Sequence, residues 1–332
     1  MRPQLLCVVL ALAAACGPGA KTAARAPVTN QAAEDVRPAR PRLTLDGALA
    51  MMPKDTELVA ELDVKRLRGS VLWERIEPWI RQQGGEALGE IARLCDFDPV
   101  ATLDTLLVGV KGFGRSEPDM TVFVRGFEQR AATACFERAA AAARERGDDN
   151  TLRVDGDHVE LLEGGVPTMA LAFVDSRTAL FVSRSGTMAD RAALQAARAR
   201  TRADGLTGAA TFTQVVGRID TRATAWFAMD GNAPVFGGMP YAIRSVRSEL
   251  HTSADPARAI VGTLVFEVGP GGDAAAMAQM FQMGIDTLRG GPYADLAQAL
   301  TVSADGADVV VDVRLGLAQL ERLAAMFGPL VP

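Results

Sequence analysis

The chain has 332 residues, 48% hydrophobic and 23% charged, with a formal net charge of −5. That composition excludes disorder throughout and gives material for one large domain or two of about 140 residues. The acidic balance argues against nucleic acid as a partner, and two histidines with four cysteines leave little material for a metal centre.

The first element is a signal. Arg2 precedes eleven apolar residues, 5–15, which as a helix reach only about 17 Å, far short of the roughly 30 Å hydrocarbon core. Residues 1–15 are therefore expected to be a cleaved signal and not a membrane span. Leu12-Ala13-Ala14-Ala15-Cys16 resembles the lipobox of bacterial lipoproteins, which implies that Cys16 takes a diacylglycerol and becomes the mature N-terminus. Ala13-Ala14-Ala15 also fits ordinary signal cleavage at the same bond, which would leave Cys16 unlipidated. Several acyl chains make a stable anchor, so lipidation implies a protein held to the membrane through its N-terminal lipid. Gly17 is not acidic, and the lipoprotein resemblance then implies an outer-membrane address within the cell envelope.

Residues 16–42 read as lipidated Cys and tether. The stretch is Pro, Ala and polar residues without an aromatic, unable to bury enough surface to fold. As a flexible coil it spans roughly 28 Å.

The body is expected to be α+β, as two related halves, 43–202 and 203–332, each an antiparallel sheet with helices packed on a face. Residues 58–64 alternate as a strand, Ser70 is placed to cap a helix carrying Leu72, Ile76, Trp79 and Ile80, and strands are expected at 103–110 and 120–126. A small-residue helix through Ala131, Cys135 and Ala139 follows, then a hairpin about Asp155-Gly156, a strand pair at 168–174 and 178–183, and an Ala-rich helix after Thr187. The second half repeats the order. A strand is expected at 223–230, a helix at 241–250, a strand at 260–268, a helix at 273–288, a hairpin about Asp305-Gly306 and a closing helix at 317–327. The boundary falls near residues 202–208.

This order, with LVAELDVKRLRGSVLW after the tether and CDFDP ahead of a later Cys, resembles predicted lipoproteins of myxobacterial type, similar to a bacterial family known only as a domain of unknown function. The resemblance implies architecture and location, and no activity.

Cys7 leaves with the signal and Cys16 is the anchor, so Cys95 and Cys135 are the pair left in the body. In an exported protein they are expected to form a disulfide; two separate buried thiols are the alternative. For chemistry, a nucleophile needs a base in reach, and only His158 and His251 offer one. No G-x-S-x-G or H-E-x-x-H occurs. His158 after Asp155-Gly156-Asp157 is best read as turn chemistry, since Asp305-Gly306 recurs without a His. Residues 109–114, GVKGFG, lack phosphate-loop spacing and read as a strand-ending loop; Asp96 and Asp98 read as turn and capping groups before Pro99. Trp73, Trp79, Trp226 and Phe227 are either core or a ligand groove, and Met277, Met280 and Met283 either helix packing or an adaptable contact surface.

The expectation is a non-enzymatic envelope lipoprotein without cofactor or metal, binding another protein or an envelope component. The alternative is a small-molecule or lipid-binding module with its ligand between the halves.

Overall fold

The computed structural model describes residues 42–326 apart from 116–117, 148–149, 164, 184–190, 237–240 and 292. The signal 1–15, Cys16, the tether up to residue 41 and the start of the helix after Thr187 lie outside the described residues.

Thr44 opens the first helix, α1 (Leu45–Met51), by accepting the Gly47 amide on its side chain. Strand β1 (Leu58–Asp63) follows, and its last residue, Asp63, caps α2 (Val64–Arg68). The next helix, α3 (Trp73–Cys95), breaks its regular geometry at Gly85, where φ is +46°. Ser70 does not cap it: the hydroxyl donates back to Leu67 O, closing α2, and α3 begins at Leu72 without a side-chain cap. Then come α4 (Pro99–Thr102), β2 (Thr105–Lys111), β3 (Asp119–Arg125) and α5 (Gln129–Arg146), the last capped by Glu128 at its start and Gly147 at its end. Strands β4 (Asn150–Asp155), β5 (His158–Glu163), β6 (Val166–Phe173) and β7 (Thr178–Ser183) lead to α6 (Arg191–Ala199) and α7 (Ala210–Val216). The chain continues through β8 (Ala225–Asp230), β9 (Ile243–Thr252), β10 (Ile260–Val268), α8 (Ala274–Arg289), α9 (Ala294–Gln298), β11 (Leu300–Asp305), β12 (Asp308–Leu315) and α10 (Leu317–Met326).

The fold is α+β. The twelve strands make a single sheet in the order β11-β12-β10-β9-β8-β1-β2-β3-β7-β6-β5-β4, and each neighbouring pair is antiparallel. A separate sheet for each half is the sequence expectation; instead β1 and β8 pair along Leu58↔Met229 to Leu62↔Ala225. Each would otherwise leave a row of backbone donors and acceptors unmatched at a sheet edge, and the pairing satisfies both rows. The expected boundary between the halves, 202–208, is packed as well. Leu206 is buried, its amide donates to Met52 O, and a Cβ at Gly205 would sit 1.9 Å from Ala50 O, so only glycine fits that approach.

Strand alternation decides the two faces. On one, Val59, Leu107, Phe123, Leu180 and Trp226 pack under α1, α6 and α7 with Leu194 and Phe212. On the other, Val108, Val122, Val124, Phe173 and Phe181 pack with Ala132 of α5, while Val246, Val309 and Met277 form a second cluster around α8. Strand β7 is buried at all six positions because both of its faces are covered. Each such Leu, Val or Phe contributes about 1.5–3 kcal/mol.

The helix expected at 241–250 is strand β9. Val246, Ser248 and Leu250 share one parity and Arg247, Glu249 and His251 the other, a period of two, and β9 has neighbours on both sides in β8 and β10.

Candidate functional site

Where the sheet crosses from β2 and β1 to β8, the face under α1 carries polar residues in place of core. On β1 the parity of Val59 continues to Glu61, which lies opposite Leu107 on β2 and Trp226 on β8. Arg125 ends β3, opposite Thr105 on β2 and Thr178 on β7. These side chains, with Thr44, Thr221, Leu43, Leu107 and Phe123, enclose a pocket of about 140 Å³. That is close to the roughly 150 Å³ of an apolar cavity known to hold benzene, but here the walls are half polar.

The strand carrying Arg125 also fixes the entry of the chain. Arg125 Nη2 donates to Leu43 O at 2.6 Å, and the Leu43 amide donates to Asp175 Oδ2 at 2.7 Å. Asp175 is fully buried and also accepts from the Arg177 amide and the Thr178 hydroxyl. Burial works against its charge, but those donors, Leu43 first, hold its carboxyl below the usual range. Arg125 Nε reaches Thr178 Oγ1 at 3.5 Å, and Nη1 makes no hydrogen bond among the described residues.

Glu61 is the unusual group. Burial pushes its carboxyl up to about 7; Arg125 partly opposes this, Asp63 on the same strand adds to it, and the Trp226 indole N–H weakly favours the anion. The indole N–H is buried without a hydrogen bond of normal geometry, and Glu61 has no ion pair among the described residues. The pocket thus brings a half-buried carboxyl and a guanidinium together with the hydroxyls of four threonines, and the Trp226 indole lies beside Glu61 in the sheet.

The residues singled out in the sequence lie elsewhere. Cys95, at the end of α3, and Cys135, on α5, stand at disulfide distance with Cα atoms 4.5 Å apart. They border an apolar cavity of about 50 Å³ with Phe97, Phe127, Phe136 and Phe173. At a third of the benzene-binding volume and without polar walls, it is a packing void rather than a ligand site. Asp98 caps α4 and takes Arg81 at 2.6 Å; Asp96 ends α3 in the left-handed region, with φ +54°. The 109–114 loop is pinned by the Phe113 amide on Glu57 and by Lys111 on Asp55. His158 Nδ1 lies 2.8 Å from Asp157, which Arg198 also holds, while Nε2 is buried without a partner. No hydroxyl or thiol among the described residues is therefore in hydrogen-bond reach of Nε2, as a nucleophile would have to be.

Trp226, Phe227 and Trp73 fall in three different clusters. Trp226 is 2% exposed on the α1 side, Phe227 points to the α8 side, and Trp73 packs with Leu317 and Leu320. Met277 is core, whereas Met283 is 58% exposed. On the α7 side of the second half, Arg218, Arg244 and Arg247 surround Glu267 and Asp308, a network whose carboxylates are already paired.

Comparison with family models, curated proteins and solved structures gives no match. Among the described residues no helix is long and apolar enough to cross a membrane, and no group of three His, Cys, Asp or Glu could hold a metal.

Sequence reasoning passed over Glu61 and Arg125. In LVAELDV, Glu61 reads as the wet side of a strand; the one available signal is that it shares parity with Val59, which is wholly buried.

Proposed function

We propose that the protein is an exported, lipid-anchored envelope component whose folded part binds a small polar molecule in the Glu61 pocket. The observation that carries the reading is the convergence of a half-buried Glu61, its carboxyl raised by burial, with Arg125 and four threonines on one pocket of about 140 Å³. The pocket draws on both parts of the chain, since Thr221 follows residue 203 and the rest of the lining precedes it. It is a ligand site between the halves. Cys16 carries the lipid and residues 17–42 are the tether, which enters the fold at Leu43, beside the pocket mouth.

The two halves are related by duplication in this reading. β1-β2-β3 and β8-β9-β10 run outward from the seam in the same order, and the two Asp-Gly hairpins form the outermost strand pairs at opposite ends of the sheet. The β6–β7 pair is an insertion in the first half. The role in this reading is binding.

The test is thermal unfolding of the full chain against a panel of small amino acids, hydroxy acids, carboxylates and polyols, with Thr221→Trp as a blocked control. A ligand at a hundred times its Kd stabilises by about 2.7 kcal/mol, a shift on the order of 5 °C. At least one compound should shift wild type and not the variant. No shift, or equal shifts in both, overturns the reading. For the anchor, Cys16→Ser should move the protein from the membrane to the soluble fraction; retention on membranes contradicts it.

A protein partner is the second reading. Met283, Leu288 and Tyr293, exposed on and just after α8, favour it.

A further inference from the structure

Resting on the pocket reading above, we propose that the ligand is a small monocarboxylate, held by Arg125 Nη1 and the Glu61 carboxyl, and that one proton is taken up onto Glu61 as it binds.

The argument starts from the donors. Arg125 Nη1 and the hydroxyls of Thr105 and Thr221 line the pocket and carry no hydrogen bond among the described residues, and all of them can donate. The only lining side chain that is purely an acceptor is Glu61 when ionised. A neutral Glu61 becomes one more donor and leaves Arg125 as the sole charge of the pocket, a net of +1. The complementary ligand is a single negative charge with two acceptor oxygens. One oxygen takes the Arg125 N–H and the other the Glu61 O–H.

Two ionised carboxylates cannot share so small a site, so binding requires Glu61 protonated. The surroundings favour that form. Burial has already brought the Glu61 carboxyl to about 7, so the proton is obtained from solvent at little cost. Every charged group facing Glu61 is accounted for. Asp63 on its own strand disfavours the anion, Arg125 on β3 favours it, and Trp226 on β8 contributes a dipole. The strands and segments carrying Thr44, Thr105, Thr178 and Thr221 contribute hydroxyls. The acid of α1, Asp46, bonds to Arg202.

A pocket near the size of a benzene cavity has room for an acid of two to five carbons. A zwitterion fits less well, because its ammonium would need fixed acceptors and Glu61 is the only ionisable one, already disfavoured as an anion.

The experiment is isothermal titration calorimetry of the full chain in nanodiscs, with sodium propionate as probe and alanine and propionamide as comparators. It is run from pH 6 to 9 in buffers of different ionisation heat. Propionate should bind with about one proton taken up at pH 8, and its affinity should fall about tenfold per pH unit between pH 8 and 9. Glu61→Gln offers an amide N–H at every pH. It should bind propionate without proton uptake, about tenfold tighter than wild type at pH 8 and about a hundredfold tighter at pH 9. A damaged fold cannot produce that gain. Propionate affinity equal at pH 6 and 9 in wild type overturns the proposal. So does binding of alanine or propionamide, but not propionate, that Thr221→Trp abolishes; the pocket reading then stands and only the ligand class falls. If no probe binds and no compound of the thermal panel shifts the protein, both fall.

Discussion

Glu61→Gln should make the protein more stable at neutral and alkaline pH while leaving it unchanged in acid. The native carboxyl sits at about 7 against 4.5 in the unfolded chain, a raised value. Between those two limits the folded state holds a proton that the unfolded state has lost, so stability is fully present below about pH 4.5 and declines as pH rises through 7. A shift of that size, at about 1.4 kcal/mol per unit, comes to roughly 3 kcal/mol, and residual solvent contact trims it to about 2–3 kcal/mol. Gln has the same shape and no charge to desolvate, so it avoids this loss. Urea unfolding followed by tryptophan fluorescence, which reports on Trp226 next to Glu61 in the sheet, measures the difference. The variant should exceed wild type by about 2–3 kcal/mol at pH 8 and match it within about 0.5 kcal/mol at pH 4.5. Comparing variant with wild type cancels the other titrating groups. A difference that does not change with pH would refute the assignment of Glu61 as a carboxyl raised by desolvation.

Oxidised Cys95 and Cys135 would close a 40-residue separation, for which chain entropy gives up to about 4 kcal/mol of stability. Reduction under native conditions should lower the urea midpoint accordingly, and recovery of both thiols as free and alkylatable without reductant would show that the pair is not bridged. Asp98→Ala removes the cap of α4 and the partner of Arg81 and should cost about 1 kcal/mol, with Asp98→Asn keeping most of it. Equal losses for Ala and Asn would mean that the ion pair, not the cap, is the contribution. Burial works against the Asp98 carboxyl, but Arg81 and the Ala101 and Val100 amides hold it below the ordinary range. That contribution should be intact at neutral pH and disappear as acid protonates the group.

Much of the fold is legible in residue parity. The alternation of 58–63, the apolar run of β2 and the Asp-Gly turns each mark a local choice that the sheet then uses, and φ of +63° at Gly156 and +61° at Gly306 is what an Asp-Gly turn demands. The seam is not legible, because pairing of β1 with β8 joins residues more than 160 apart and depends on two edges meeting rather than on any local pattern. β9 was read as a helix for a related reason. Its polar residues Arg244, Arg247, Ser248 and His251 fall at the three- and four-residue spacing of a helix's wet face, and only the neighbours on both sides select the strand. The pocket is hidden at a further level. Glu61, Arg125 and Thr221 come from three separate segments, and nothing in the chain order says that they line the same space or that Arg125 leaves an amino group free after holding Leu43 O.

The most direct test of the central claim is a crystal structure of the full chain, purified from its own host, and a second crystal soaked in propionate. The account predicts a small molecule in the pocket bounded by Thr105, Thr178 and Thr221, with one oxygen in hydrogen-bond range of Arg125 Nη1 and another in range of the Glu61 carboxyl. A pocket closed by its own side chains, or filled by water alone in both crystals, would contradict it.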